Sequence, residues 1–215
     1  MITESTNNEV FLRGTVDSPL TYSHEVYGEG FYSFFIKIFR LSNISDRISV
    51  TVSERLIKDL DICEGMEVSV EGQFRSYNNY SQEGNRLILT VFARDIFLSD
   101  ESGEKNPNQI YLNGFLCKEP VYRTTPFGRE ITDLLLAVNR AYNKSDYIPC
   151  ISWGRNARFS STLEVGDNIK IWGRIQSREY QKKLSEEETI TKTAYEISVS
   201  KMEIAEKEPV EIEIV

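Results

Sequence analysis

The chain is predicted to be all-β, built as two small five-stranded Greek-key barrels in tandem, each with one short helix. Three observations lead there. Landmarks recur about one hundred residues apart: Leu12-x-Gly14 returns as Leu112-x-Gly114, Pro19 as Pro120, and Gly65-MEVSVE-Gly72-QFRS as Gly166-DNIKIW-Gly173-RIQS, with Ser76 and Ser177 in step. Apolar residues recur with period two rather than 3.6. Single glycines, Gly72 and Gly173, interrupt strands of branched residues, where a barrel must coil sharply or let two backbones meet closely.

Each element can be justified in turn from the second half. Leu112, Gly114 and Leu116 alternate with Tyr111, Asn113 and Phe115, the signature of a half-buried first strand. Residues 146–153, DYIPCISW, read as the third strand, with Tyr147 and Trp153 on one face and Ile148 and Cys150 on the other. A short helix is expected over Asn156–Thr162, with a counterpart at Glu54–Asp59. The fourth strand follows from Ile169, Ile171, Gly173 and Ile175, and the fifth from Tyr195, Ile197 and Val199. Five strands with a helix between the third and fourth describe an OB-fold. The expected domains are residues 1–100, a polar linker at 101–109 within the stretch SDESGEKNPNQ (99–109), a second barrel at 110–205, and an acidic tail at 206–215.

Composition bounds the chemistry. The 215 residues are 40% apolar and 27% charged, ordinary for a globular protein, and no apolar run approaches a membrane span. The first residues, MITESTNNEV, lack a basic-then-apolar signal pattern, so a cytoplasmic protein is expected. Cys63, Cys117 and Cys150 are scattered and odd in number, which argues against a disulfide framework or a CxxC metal site. His24 is the single histidine, which excludes a His-rich zinc site, and a Ser/His/Asp triad unless His24 itself serves. No metal, cofactor or catalytic residue is expected. The net charge of −8 is unevenly spread: −7 over residues 1–105, +2 over 106–205 and −3 over 206–215. An acidic total therefore does not exclude a nucleic-acid partner for the second half.

The strand from Asn168 carries the chemistry. One face receives Ile169, Ile171, Gly173, Ile175 and Ser177; the other receives Lys170, Trp172, Arg174, Gln176, Arg178 and Tyr180. Rings interleaved with cations suit an unpaired strand, whose bases stack on rings while its phosphates meet Lys or Arg. On the third strand, Tyr147 and Trp153 would stand ~20 Å apart on one face, room for several nucleotides. The stacking residues are expected to be Tyr142, Tyr147, Trp153, Trp172 and Tyr180. The expected phosphate contacts are Arg123, Arg129, Arg140, Arg155, Lys170, Arg174, Arg178, Lys182 and Lys183. Cys150 is expected to be a small core residue and His24 a surface one.

Leu112-Asn-Gly114, TTPFGREITDLLLAVNRAY (124–142), IPCISWGRNA (148–157) and GRIQSREY (173–180) resemble the bacterial single-stranded DNA-binding protein family, SSB, over about residues 110–204. That resemblance implies an OB-fold, non-enzymatic binding of single-stranded DNA, oligomerisation through barrel edges, and roles in replication, recombination and repair. It puts the family's stacking aromatics on Tyr142, Tyr147, Trp153 and Tyr180. Two barrels per chain imply a homodimer with four. Family members commonly close in an acidic tip that recruits partner enzymes; this chain closes in EKEPVEIEIV, acidic and apolar but without the family's motif.

The first half departs from the pattern. In the repeat register Tyr142, Tyr147, Trp153 and Tyr180 become Ser42, Arg47, Ser53 and Asn79, and the outward row becomes Ser69, Glu71, Gln73, Arg75, Tyr77 and Asn79. The first barrel is therefore expected to bind DNA weakly and to serve packing, dimerisation or protein contact, although Tyr22, Tyr27, Phe31, Tyr77 and Tyr80 could still offer rings. The leading function is sequence-independent coating of single-stranded DNA by the second barrel. The alternative is a protein-interaction module of primosome type, holding replication or repair proteins, with DNA contact secondary. An enzyme has the least support, since no catalytic constellation exists.

Overall fold

Alternating burial along Asn8–Val16, with Val10, Leu12, Gly14 and Val16 inward, makes this segment strand β1. The structure, a computed structural model, describes residues 6–42, 44–78, 87–98, 106–183 and 189–205, the side chains of Lys182 and Lys183 excepted. The first half continues with β2 (Thr21–Val26), β3 (Glu29–Phe39), β4 (Ser45–Ser53), helix α1 (Glu54–Ile57), β5 (Glu67–Asn78) and β6 (Leu87–Leu98). The second repeats it as β7 (Asn108–Leu116), β8 (Val121–Thr124), β9 (Glu130–Arg140), β10 (Lys144–Trp153), α2 (Arg155–Ser160), β11 (Asn168–Lys183) and β12 (Thr189–Ile204). Both are OB-fold barrels, closed by β1 against β3 and β7 against β9, with the parallel pairs β4–β6 and β10–β12 on the far side.

Three expectations are corrected. Among the described residues each half has six strands, because a short hairpin strand, β2 or β8, precedes the long third one; the helix thus falls between the fourth and fifth strands. Neither β2 nor β8 buries a residue, so no alternation announces them. The helices are shorter than expected, four residues for α1, capped by the Ser53 hydroxyl accepting from the Arg55 N–H, and six for α2. Finally, β7 begins at Asn108, inside the stretch read as linker, because the Asn108 side chain is built into the core. Residues 99–105 of that stretch, Asn79, Tyr80, the acidic run at 186–188 and the tail at 206–215 lie outside the described residues.

Each core is made of the inward rows, with Leu12, Phe34, Ile36 and Phe74 fully buried in the first barrel and Leu112, Leu136, Ile148 and Ile171 in the second. Gly72 and Gly173 behave as their position suggested. A Cβ on either would stand 2.3 Å from a backbone oxygen, of Phe92 or Ser198, so only glycine lets the neighbouring strand approach this closely.

The barrels join through β1 and β7, which pair antiparallel about Val10 and Ile110 and make one continuous twelve-stranded order. The pairing is symmetric, Asn8 opposite Leu112 and Leu12 opposite Asn108, so a pseudo-two-fold axis passes beside the central pair. Two buried asparagines obey it. Asn8 donates to the Phe74 carbonyl at 2.8 Å and accepts from its N–H at 2.9 Å; Asn108 does the same with Ile175 at 2.7 and 2.9 Å. Each amide side chain supplies a missing rung of a ladder.

A second symmetric set of contacts crosses between barrels. Asp46 of β4 accepts from the Ser177 N–H of β11 at 2.8 Å, and Asp146 of β10 accepts from the Ser76 N–H of β5 at 2.8 Å. The hydroxyls answer in kind, Ser177 accepting from the Arg47 N–H at 3.0 Å and Ser76 from the Tyr147 N–H at 2.7 Å. Both carboxylates are buried, and both hold an arginine of their own hairpin, Arg40 or Arg140. The halves are thus locked by reciprocal hydrogen bonds as well as by a shared strand pair.

Candidate nucleic-acid interface

Strand β10 ends in Trp153, a residue 38% exposed at the edge of a groove of about 740 Å³. Alternation decides this: Ile148 and Cys150 point into the core, so Tyr147 and Trp153 point out. The floor beside Trp153 is Ile131 and Ile151, and the walls are arginines. Arg174 and Arg178 arrive from the outer row of β11, Arg123 from β8, and Arg129 from the β8–β9 turn. That turn is held by Thr125, whose N–H donates to the Arg129 carbonyl at 2.8 Å and whose hydroxyl accepts from the Arg129 N–H at 3.1 Å. Apolar floor, exposed indole and guanidinium walls are the ingredients for stacking a base and meeting its phosphate.

The groove carries carboxylates too. Arg123 donates to Asp133 at 2.8 Å, and Glu196 accepts from the Gln176 amide at 2.6 Å. Glu130 accepts from Arg158 at 2.8 Å and from the Tyr122 hydroxyl at 2.6 Å; these donors, Arg158 foremost, hold its carboxyl at about 2. Arg158 is thereby committed to a structural pair. Burial pushes the Cys150 thiol far above its ordinary range, in keeping with a core residue, and raises Cys117 as well. Among the described residues no cluster of His, Cys, Asp and Glu could hold a metal ion.

The other sequence-predicted residues distribute as follows. Tyr142 stands at the tip of the β9–β10 hairpin with φ 62° and is 93% exposed. Tyr147 is exposed on β10, Arg155 is exposed just after Trp153 at the start of α2, and Tyr180 is half-buried on the far reach of β11. Trp172 and Lys170 face a different groove, of about 930 Å³, over the β1–β7 seam, where Trp172 packs against Tyr111 at 5.2 Å and the Lys201 ammonium lies 4.5 Å from the indole. Arg140 turns toward the first barrel, its guanidinium 5.8 Å from the Tyr77 ring. The side chains of Lys182 and Lys183 lie outside the described residues.

Sequence reasoning missed Arg40, Ile44 and Glu196, which line the Trp153 groove. Arg40 and Ile44 come from the first barrel's β3–β4 hairpin. A signal was present: Arg40 and Asp46 recur as Arg140 and Asp146, both one hundred residues on, and only the two-fold relation between barrels says which groove each serves.

The corresponding face of the first barrel is closed by its own rings. Phe31 is buried between His24, stacked at 5.0 Å, and Phe92 at 5.6 Å, and the Arg75 guanidinium covers Phe92 at 4.3 Å. Phe31 therefore offers no free face, contrary to the possibility raised from the sequence. Tyr22 meets Tyr32 edge-on at 5.7 Å, and Tyr27 is fully exposed in the β2–β3 turn.

The pattern described as the single-strand binding protein family matches residues 107–205. "Single-stranded DNA-binding protein B" of Bacillus subtilis (strain 168) is 33% identical over 81 residues, covering 34% of this chain and 72% of its own. "Single-stranded DNA-binding protein 1" of Staphylococcus aureus (strain COL) is 37% identical over 81 residues, covering 34% of this chain and 48% of its own. The chain spans about half the length of most curated relatives it matches. The wild-type single-stranded DNA binding protein of Thermus aquaticus superposes with a TM-score of 0.75 at 21% identity, covering 94% of each chain, so the likeness of fold runs through both halves.

Proposed function

The chain belongs to the single-strand binding protein family, and from that premise we propose that it binds single-stranded DNA without sequence specificity, chiefly through the second barrel. The observation that carries this is the Trp153 groove, an exposed indole on an apolar floor between arginine walls. A base stacked on such a ring contributes ~1–3 kcal/mol, a gain that duplex DNA, with its bases already stacked, cannot supply. Trp153, Tyr147, Tyr142 and Tyr180 provide the rings, and Arg123, Arg129, Arg155, Arg174 and Arg178 the phosphate contacts. Binding makes and breaks no bond. The resulting service, protection of unpaired strands, belongs to replication, recombination and repair.

Two chains would bring four barrels together as a homodimer. The first barrel serves packing and protein contact; the exposed Phe39, Leu41 and Ile44 at its hairpin tip support that role. Among the described residues no helix is long and apolar enough to cross a membrane.

Titration of the full chain with an oligothymidylate at several salt concentrations tests the reading. Tight retention is expected, with a linear fall of log K against log salt of about −0.7 per phosphate neutralised. A Trp153→Ala variant that keeps wild-type affinity would refute it.

A further inference from the structure

Arg40 belongs to the first barrel but lines the second barrel's groove. It reaches there because Asp46 is 1% exposed, is fixed by the Ser177 N–H of β11 at 2.8 Å, and takes the Arg40 Nε at 2.7 Å. Arg174, on β11 itself, brings its Nη1 to 3.5 Å from the same carboxylate. Two guanidinium groups thus share one buried anion. Around the groove five arginines, Arg40, Arg123, Arg129, Arg174 and Arg178, face three acids, Asp46, Asp133 and Glu196. The mirror position behaves differently. Among the described residues Asp146 pairs with no arginine but Arg140, and Gln73 stands where the second barrel has Arg174.

We infer that Arg40 and Arg174 form one phosphate-binding subsite, shared across the two barrels and held on Asp46, so that the groove of the second barrel is completed by the first. The inference rests on the DNA-binding reading above. Its logic is charge counting. Asp46 neutralises one of the two cations, and the surplus positive charge belongs to the pair rather than to either arginine. Burial and the neighbouring Arg40 lower the pKa of Arg174, but from so high a starting value that it remains charged at neutral pH. Arg40 uses Nε and Nη2 on Asp46 and the Ser177 carbonyl, which leaves Nη1 for an anion in the groove. With 22% of its side chain exposed, that anion can reach it. A strand lying along Trp153 toward Arg178 would then bring one phosphate over the join between barrels, and covalent linkage of the halves would serve binding directly.

The test uses the full chain, an oligothymidylate probe and the slope of log K against log salt. Arg40→Gln and Arg174→Gln are expected to flatten the slope equally, each by about 0.7, although they lie on different barrels. Asp46→Asn retains an oxygen acceptor for the Ser177 N–H and frees the second cation, so its slope should steepen by up to about 0.7. Trp153→Ala serves as the control on the DNA-binding reading itself. Wild-type slope in Arg40→Gln, with Arg174→Gln flattened and Trp153→Ala weakened, would overturn the shared subsite while leaving that reading intact. Undiminished binding by Trp153→Ala would instead overturn the reading. Should Arg40→Gln fail to fold, Asp46→Asn decides: an unchanged slope there sinks the inference.

Discussion

The two barrels share strand order, paired glycines, clamping asparagines and buried aspartates, yet they present different faces. On the second, β11 and β10 direct Arg174, Arg178 and Trp153 into an open groove. On the first, the same positions are Gln73, Tyr77 and Ser53, and the rings that remain, His24, Phe31 and Phe92, stack on one another under Arg75. The difference teaches that a barrel's interior and its ligand face are separable. Inward rows fix the fold, and outward rows can be rewritten without disturbing it, because alternate side chains on a strand never compete for the same space.

That comparison can be broken in several ways. The largest effect is expected in the double variant Trp153→Ala, Tyr180→Ala. Losing two stacking rings should cost ~2–6 kcal/mol of binding, at least roughly 30-fold in Kd. The matching first-barrel change, Tyr22→Ala with Tyr27→Ala, should leave Kd within about twofold if that face does not hold DNA; oligothymidylate titration measures both.

Next in size is stability, where the halves should behave alike. Asn8→Ala and Asn108→Ala each strand a buried N–H and carbonyl, of Phe74 or Ile175. Each should lower stability by ~2 kcal/mol or more, read by denaturant melts. A large inequality between them would show that the two-fold relation does not extend to energetics.

A smaller effect sharpens the contrast between faces. Gln73→Arg would give Asp146 the second cation that Asp46 already has, and the salt slope should steepen by up to about 0.7. Smallest of all is a thiol count. Cys150 is fully enclosed and its thiol pushed up by burial, so a thiol reagent should modify exposed Cys63 readily and Cys150 only on unfolding.

Much of the fold was legible because period-two alternation is a direct image of strand geometry, and because Gly72 and Gly173 mark the same close approach twice. The short strands β2 and β8 were not, since TYSHEV and VYRT are exposed throughout and bury no row. Asn108 was read as linker because a polar residue in a polar stretch gives no sign that its amide completes a buried rung. Within the groove, Trp153, Arg174 and Arg178 followed from strand parity alone. Parity could not separate Trp172 from them: it shares their row, but it lies where β11 pairs with β7, opposite Tyr111, and so lines another groove. Nor could it find Arg40, whose place depends on how one barrel docks against the other.

The most direct measurement uses the two tryptophans as separate reporters. In a Trp172→Phe variant the only indole is Trp153, and saturation with oligothymidylate should change its emission with the same midpoint as binding measured independently. In Trp153→Phe the remaining Trp172, beside the seam, should respond little. A silent Trp153 together with a responsive Trp172 would contradict the account and move the binding face to the seam.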